Sequence, residues 1–433
     1  MNSGAQDARL PAFSVPLLRL NPRPRKTPEL SSLTGRAASP AGLAEAVPRQ
    51  PVVGLEAEFT LVVDGREQRP EDVFGSPGGL LRHHGGRIIP RTGRSRHLPT
   101  GGALYFDTGV VEVATALIEL DAPHGPARAV RSLWEQIAFV RAQIDRWEVS
   151  EGKTMRLRGF SAHYNFSLFG QESRRPHRLA RVLPYILGVP TMLLAANRRS
   201  TAVGVRPRPG RIEVTADFTP DVALTNATLA FLAGVVTETS RWPDEDLNPA
   251  SLARLGLPRI AGFRPSPHSS RKGWRAHAGD FERNPFAADP SAPLWLLTDG
   301  RRVSLREFAV EVLRVFAPSI RRYADRATFT HLREVLEGTA RSLLDFDDRP
   351  AAYEDAGRAI DWGRRRSRPL PRSAYERVIA RVIHHEPLRI GAARYVVERM
   401  PGWYEFVFRD LRTGERRTFN LDELARQVAR GGV

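Results

Sequence analysis

The stretch Gly54-Leu55-Glu56-Ala57-Glu58-Phe59 constrains the fold more than any other part of the chain. Charged and apolar residues alternate with a period of two, and the run continues into Leu61-Val62-Val63. Residues i and i+2 of a strand share a face. The pattern predicts a strand over 52–63, with Glu56 and Glu58 on one face and Leu55, Ala57 and Phe59 on the other. Two carboxylates so close repel unless something cationic lies between them. A hard divalent metal, which prefers carboxylate oxygen, is one such cation. A solvated acidic strand face is the plainer reading of the same pattern.

Further strand-like segments carry chemistry-bearing residues. Gly101 to Asp107 reads as a turn into a strand that holds Tyr105. Val110 to Ala114 is the next extended piece and holds Glu112. A strand over 154–169 contains Gly159-Phe160-Ser161-Ala162-His163-Tyr164-Asn165-Phe166-Ser167-Leu168, and Arg211-Ile212-Glu213-Val214 is a short one. Helical periodicity separates them. Val130, Leu133, Trp134, Ile137, Val140 and Ile144 recur at three and four and predict a helix from Pro123 to about 146. Residues 177–197 predict an apolar helix broken at Pro184 and Pro190. Thr219 as N-cap and Pro220 at the first helical position open a helix to about 239. A short helix is expected near 71–81, with His83 and His84 facing solvent. Residues 243–300 read as irregular covering. Helices are expected near 303–316, 319–336, 337–344 and 372–384. Strands at 393–398, 404–410 and 416–419 and a helix from Leu421 close the chain.

At 433 residues the chain exceeds one typical domain. Residues 1–48, rich in Pro, Ser, Ala and Arg, read as a loosely docked basic tail. Residues 49–345 read as the main domain and 346–433 as a small C-terminal α/β domain. The net charge is +17, which by itself suggests a polyanionic partner. Only three of the 65 basic residues are lysine (Lys26, Lys153, Lys272), and the arginines are spread along the chain. That pattern fits compositional bias better than a nucleic-acid footprint, and leaves room for an anionic substrate or an acidic protein partner. The absence of cysteine excludes disulfides and thiolate metal sites. With no run of 18 apolar residues and no apolar leader, a cytoplasmic protein without a membrane span is expected.

The order of these segments resembles the glutamine synthetase-like carboxylate–amine ligases. That superfamily includes glutamine synthetase, glutamate–cysteine ligase and the Pup ligase and depupylase pair. The resemblance covers roughly 52–240. Gly54 to Phe59 is similar to the family's opening Gly-x-Glu-x-Glu strand. Gly102 to Gly109, followed by Glu112 and Ala114-Thr115, resembles the Pup ligase and depupylase branch most closely. Gly159 to Leu168 resembles the glutamine synthetase strand whose His meets metal and nucleotide phosphate. Asn197-Arg198-Arg199-Ser200, with Arg206, is similar to that enzyme's phosphate-binding Asn-Arg-Ser loop. Arg211 to Val214 resembles the metal-binding strand of both branches, and Ile360-Asp361-Trp362 with Arg364 an Asp-Trp motif of Pup ligases. Three features depart from the family. Thr215 stands where glutamine synthetase has a catalytic arginine, and Glu213 where Pup ligases have a His. Only 46 residues separate Glu58 from Tyr105, too few for the depupylase's long extra loop.

The resemblance implies an α+β fold with a curved antiparallel sheet cradle flanked by helices. It implies Glu56, Glu58, Glu112, His163 and Glu213 as ligands of magnesium, and Asp107 as the base that deprotonates an attacking amine. Arg199 and Arg206 would stabilise the phosphoryl group, and Arg198, Arg199, Arg211, Tyr105 and Ser167 would contact ATP. The expected reaction is ATP-dependent activation of a carboxylate as an acyl phosphate, then amide or isopeptide formation, on a glutamate-like molecule or a small acidic protein modifier. The reverse chemistry, an amidase or isopeptidase, uses the same residues. A non-catalytic basic scaffold or nucleic-acid binder is a third reading, and predicts no effect of Glu58→Ala.

Overall fold

A computed structural model of the chain describes residues 51–86, 88, 91, 95–121, 124–168, 175–268, 272–347 and 370–429. The basic tail and the 360–364 motif lie outside them. The described residues belong to one compact unit, Glu45–Val433. Its first half comprises β1 (Val52–Val63), β2 (Arg66–Gln68), α1 (Pro70–Phe74), α2 (Pro77–Leu80), β3 (Ser95–His97), β4 (Ala103–Asp107), β5 (Val110–Ala114), β6 (Ile118–Glu119), α3 (Gly125–Glu151) and β7 (Met155–Ser167). Then come α4 (Arg175–Ala195), β8 (Ala202–Arg208), β9 (Arg211–Asp217), α5 (Val222–Thr239), β10 (Ser266–Pro267), β11 (Trp274–His277), β12 (Trp295–Leu296), β13 (Arg302–Val303), α6 (Leu305–Tyr323) and α7 (Arg326–Glu337). The C-terminal part holds α8 (Ala374–Ile383), β14 (Leu388–Ile390), β15 (Ala393–Arg399), β16 (Glu405–Asp410), β17 (Arg416–Asn420) and α9 (Leu421–Ala429). The mix of helices and antiparallel sheets is an α+β architecture.

The main sheet runs β10-β11-β8-β9-β7-β1-β5-β4-β3, with β2 and β6 also paired to β1. Each of its pairings is antiparallel. Alternation decides which face is dry. Leu55, Ala57 and Phe59 of β1, Val111 and Val113 of β5, Tyr164 and Phe166 of β7 and Ile212 and Val214 of β9 all enter one apolar core. Helices α3, α4 and α5 cover that face, with α6 and α7 packed behind α5. Phe59 and Trp134 both meet the ring of Phe218, with centroids 4.9 and 5.4 Å away. The opposite face carries the polar residues of every strand from β4 to β11. The sequence therefore places Glu56 and Glu58 on a polar face because the alternate positions are committed to the core.

Several expectations are revised. Helix α4 runs unbroken through Pro184 and Pro190. Each proline removes one intrahelical bond, but Leu183, Ile186, Leu187 and Leu193 around them are buried and hold the helix in place. The N-cap of α5 is Asp221, whose side chain accepts from Leu224 N at 2.9 Å; Thr219 lies further out, its carbonyl accepting from Thr225 Oγ1. Helices α4 and α5 are each long and apolar enough to cross a membrane, but most of each is buried inside this fold. His83 and His84 are half-buried, packed edge-on against Trp147 and Phe139 of α3. Strand β8 was not foreseen. Its Pro207 lies beyond Ala202–Val205, the part paired with β11, so its missing N–H costs no ladder bond there. Within 243–300, β10 and β11 extend the sheet edge.

The C-terminal strands form their own sheet, β14-β15-β16-β17, packed on α8 and α9 around a second apolar cluster. Val52 and Ala116 of the main sheet region join that cluster. A buried ion pair, Arg128 Nε to Glu376 Oε1 at 2.8 Å, and a bond from Tyr375 N to Glu119 Oε1 at 3.0 Å fasten α8 to the main body.

Candidate functional site

Register on the polar face brings the predicted acids together. Glu58 of β1 lies opposite Glu112 of β5, and Tyr105 of β4 lies opposite the same Glu112. Strands β4 and β5 are joined through Thr108 and Gly109, both at positive φ (46° and 95°). This is the two-residue hairpin geometry that matches strand twist. It sets Asp107 opposite Val110, one diagonal step from Glu112. Glu58, Asp107 and Glu112 each offer an oxygen, all within 4.8 Å of one another. Glu58 and Glu112 are each 8% exposed, whereas Asp107 is open to solvent at the rim. On the other side of β1, Glu56 lies opposite His163 of β7. A β-bulge interrupts β7 between the partners of Ala57 and Phe59. It lets Ser161 donate to Glu58 Oε2, the re-aiming that bulges allow.

Glu56 of β1 and His163 of β7 stabilise one another's charged forms. Burial pushes the Glu56 carboxyl up, but the hydrogen bond and charge of His163, with help from Arg211 and Asn165, bring it below the usual value. His163 answers in kind. Burial pulls its imidazole down, but Glu56, Glu58 and Glu213 raise it overall. His163 Nδ1 lies 3.1 Å from Glu56 Oε2, and its Nε2 lies 3.3 Å from Ser161 Oγ, so both ring nitrogens are engaged. The imidazole thus serves Glu56 directly. Among the described residues Glu112 has no such hydrogen-bonded partner. Burial, then the charges of Glu56 and Glu58, push its carboxyl up to about 8.

Towards β11 the same face turns basic. Glu213 is 2% exposed and bonded by Arg206 and by Arg208 Nε, the latter at 2.8 Å. Arg211 Nε donates to Asn165 Oδ1 at 2.9 Å, and Asn165 Nδ2 donates to Glu56 Oε2 at 3.2 Å. Arg275 of β11 lies opposite Gly204, which lies opposite Thr215. Asp217 of β9 holds the 197–200 loop, accepting from Asn197 Nδ2 at 2.5 Å and from Ser200. Arg199 is exposed there, its backbone N donating to Asn197 Oδ1. Arg198 points away and donates to Phe346 O (3.1 Å) and Ala287 O (2.9 Å). Ser167 spends its hydroxyl on the backbone of Val52.

Beside the acidic group lies a cavity of about 460 Å³, lined by Glu56, Tyr105, Asp107, Glu112, Asn165 and Arg211, and by two residues the sequence did not single out. These are Arg91 and Trp403. The Arg91 guanidinium lies 5.1 Å from the Tyr105 ring centroid and 4.6 Å from that of Trp403. Trp403 follows Met400, whose carbonyl lies 3.4 Å from His97 Nε2. Burial, then the Arg91 charge, hold the His97 imidazole down at about 4. Alternation with His163 could have signalled Ser161 and Asn165. Arg91 lies outside any strand pattern, and Trp403 comes from 298 residues further along the chain than Tyr105, so neither has a local signal.

No protein-family model matches this chain, and no curated protein matches it significantly. The chemistry of the site therefore rests on its own geometry. All three clustered ligand atoms are carboxylate oxygens, the donor set that hard cations such as magnesium take. Two of them are buried side by side with like charge, an arrangement that costs stability in the absence of a cation. The residues present fit a divalent metal.

Proposed function

We propose that this chain is an ATP- and magnesium-dependent carboxylate–amine ligase of the glutamine synthetase-like kind. The observation that carries the reading is the meeting of Glu58, Asp107 and Glu112 within 4.8 Å on one sheet face. Glu58 and Glu112, with Glu56 alongside, would hold the metal, and a bound metal would offset phosphate charge. The arginines of β8 and β9 and the 197–200 loop flank this acidic half on the side where phosphates would need neutralising. A planar guanidinium suits that task. Asp107, the exposed member of the group, would take the proton from an attacking amine as it approaches an activated carboxylate. His163 and Asn165 hold Glu56 in one orientation throughout.

The test is binding of Mg-ATP by calorimetry to the wild type and to Glu56→Ala/Glu58→Ala. The variant is expected to bind at least roughly tenfold more weakly, the loss of one charge-assisted ligand interaction or more. Equal affinity in the two proteins sinks the proposal and favours a non-catalytic scaffold. ADP released in proportion to product supports the forward, bond-making direction; turnover without it assigns the reverse, amide-cleaving one.

A further inference from the structure

The C-terminal sheet gathers one sign of charge on one face. Tyr395, Val397, Phe406, Phe408 and Phe419 turn the other face of β14-β15-β16-β17 into the apolar cluster shared with α8 and α9. Alternation sends Arg389, Arg394, Arg409 and Arg416 outward, and all four are exposed. Register then sets like against like. Arg389 of β14 lies opposite Arg394 of β15, and Arg409 of β16 lies opposite Arg416 of β17. Arg409 also lies opposite Val396, two residues along from Arg394, so the two pairs adjoin on a diagonal. The result is a line of four arginines, one from each strand, roughly 15–20 Å from end to end. Like charges directly opposite one another destabilise a sheet. Glu398, at the bulge of β15, is shared between Arg409 Nε at 3.2 Å and Arg416 Nε at 2.7 Å. Among the described residues Arg389 reaches only the Gly391 carbonyl, at 3.4 Å, and Arg394 reaches no acceptor.

We infer that this arginine line is a docking surface for a single nucleic-acid strand, held by its phosphate backbone. The inference does not depend on the ligase reading. Arginines are dispersed along the whole sequence, and the register of this sheet collects these four. Three observations choose the occupant. A line of separated cations matches a linear polyanion, and the planar fork of N–H donors suits phosphate oxygens. The line borders a groove of about 700 Å³ lined by Val396, Val407, Arg399, Arg409 and Arg416, which a strand can enter and a flat lipid surface would leave unfilled. Strands β15 and β16 lie inside the sheet, paired on both sides, so the face lacks the free backbone groups that an extended acidic peptide takes up at a sheet edge. The outward positions of the four strands hold no aromatic residue. Bases therefore find no stacking platform here, and binding is to the backbone, independent of sequence.

The experiment is fluorescence anisotropy of a labelled oligothymidylate of about 12 nucleotides, titrated with the full chain in EDTA from about 50 to 200 mM NaCl. Four phosphate contacts on a single strand give a slope of log affinity against log salt of about −2.8, roughly a 50-fold loss over that range. Arg394→Gln/Arg416→Gln is expected to halve the slope and to weaken binding roughly tenfold at the lower salt. Its melting temperature should equal or exceed the wild type's, because each opposed pair loses one of its like charges. Arg394→Lys/Arg416→Lys keeps the charge and therefore the slope, with a smaller loss of affinity. Arg302→Gln/Arg314→Gln, which removes two exposed arginines elsewhere, should leave slope and affinity unchanged. A wild type that does not bind the oligonucleotide overturns the inference, as does full binding by the Arg394→Gln/Arg416→Gln variant. An equal loss in the Arg302→Gln/Arg314→Gln control assigns the binding to overall charge and overturns it as well. Competition by polyglutamate as strong as by unlabelled oligonucleotide assigns the face to an acidic protein instead. Binding to vesicles of phosphatidylglycerol that exceeds binding to the oligonucleotide assigns it to a membrane. A lower melting temperature in both the Gln and the Lys pairs, with equal loss of binding, gives the arginines a structural role and also overturns the inference.

Discussion

Replacing Glu112 by Gln should make the metal-free protein more stable above pH 4.5, by a margin that grows until about pH 8. Glu112 is 8% exposed and lies opposite Glu58. Burial, then Glu56 and Glu58, raise its pKa from 4.5 to about 8 in the folded protein. In the unfolded chain it ionises near its ordinary value. Folding therefore requires Glu112 to take up a proton over this interval, and the stability it allows is highest below pH 4.5 and declines as pH rises to about 8. At about 1.4 kcal/mol per pH unit the ceiling on the penalty is on the order of 5 kcal/mol, and side-chain relaxation and water entry bring a working value to roughly 2–4 kcal/mol. Gln keeps the shape and removes the charge. With an unfolding entropy of about 2 cal/mol/K per residue, 1 kcal/mol is worth roughly 1 °C in a unit of this size, so the variant should melt about 2–4 °C above the wild type at pH 8.5 and level with it near pH 4.5.

Magnesium should reverse that order. A ligand that binds only the folded state adds stability in proportion to the logarithm of its concentration over Kd. Glu112→Gln removes both a ligand oxygen and a negative charge, so excess magnesium should raise the wild-type melting temperature and leave the variant nearly unmoved. Scanning calorimetry across the pH range, with chelator and with excess MgCl2, reads both effects. A variant whose advantage does not grow with pH refutes the electrostatic account of Glu112. A variant stabilised by magnesium as much as the wild type refutes its role as a ligand.

Three other perturbations have definite signs. Glu213→Gln leaves Arg206 and Arg208 without the buried carboxylate both now contact, and should cost about 2–4 kcal/mol in urea unfolding; a loss under about 0.5 kcal/mol would mean the pairs are solvent-screened. At Gly102 a Cβ would stand 2.3 Å from Ala114 O and 2.5 Å from the Gln136 side chain. Gly102→Ala should therefore destabilise by about 2 kcal/mol or more and weaken magnesium binding by shifting β4 and Asp107; unaltered stability and affinity would show the strand end yields freely. Arg128→Met leaves Glu376 buried without its partner and should cost about 3–5 kcal/mol, with limited proteolysis cutting sooner in the C-terminal region; a proteolysis pattern like the wild type's argues against that pair as a fastener.

What was legible in the sequence depended on how local the cause was. The alternation over 52–63 gave β1 because its odd positions, Leu55, Ala57, Phe59 and Leu61, are all committed to the core. Strands β15 and β16 were readable because they alternate, and β17 because a Thr413-Gly414 turn, with Gly414 at φ 76°, precedes it; the three-residue β14 was not expected. Register was not local. That Glu58 meets Glu112 and Glu56 meets His163 depends on pairings across 54 and 107 residues, and on a bulge in β7 that no alternation announces. The resemblance that implied Ser167 as an ATP contact could not show that its hydroxyl would turn to the Val52 backbone. Prolines misled in two directions. Pro184 and Pro190 suggested breaks that burial overrode, and β8, which contains Pro207, was not among the expected strands.

The sheet order gives the site a polarity that single residues do not. Acids occupy β1, β4 and β5, and most of the arginines of the face occupy β8, β9 and β11, with β7 between the two groups. Beside Glu56 and Glu58 the residues β7 presents are Ser161, His163 and Asn165, none of them permanently charged, and each bonds to an acid of β1; Arg156 and Arg158 lie further along the strand. Asn165 also accepts from Arg211, so one amide is oriented by both halves at once. A carboxylate or an arginine at these positions would collapse the two halves into ordinary ion pairs across β7. With His163 turned to Glu56, burial and then the charges of Glu56 and Glu58 leave Glu112 with a raised proton affinity. Glu213 shows the alternative within the same sheet. Placed among arginines on β8, it is fully neutralised, and its pairing leaves no comparable demand for a cation. Under the proposed function the acidic half would be the metal site because the β7 residues beside it leave it short of positive charge, and a divalent ion would match that charge and donor set.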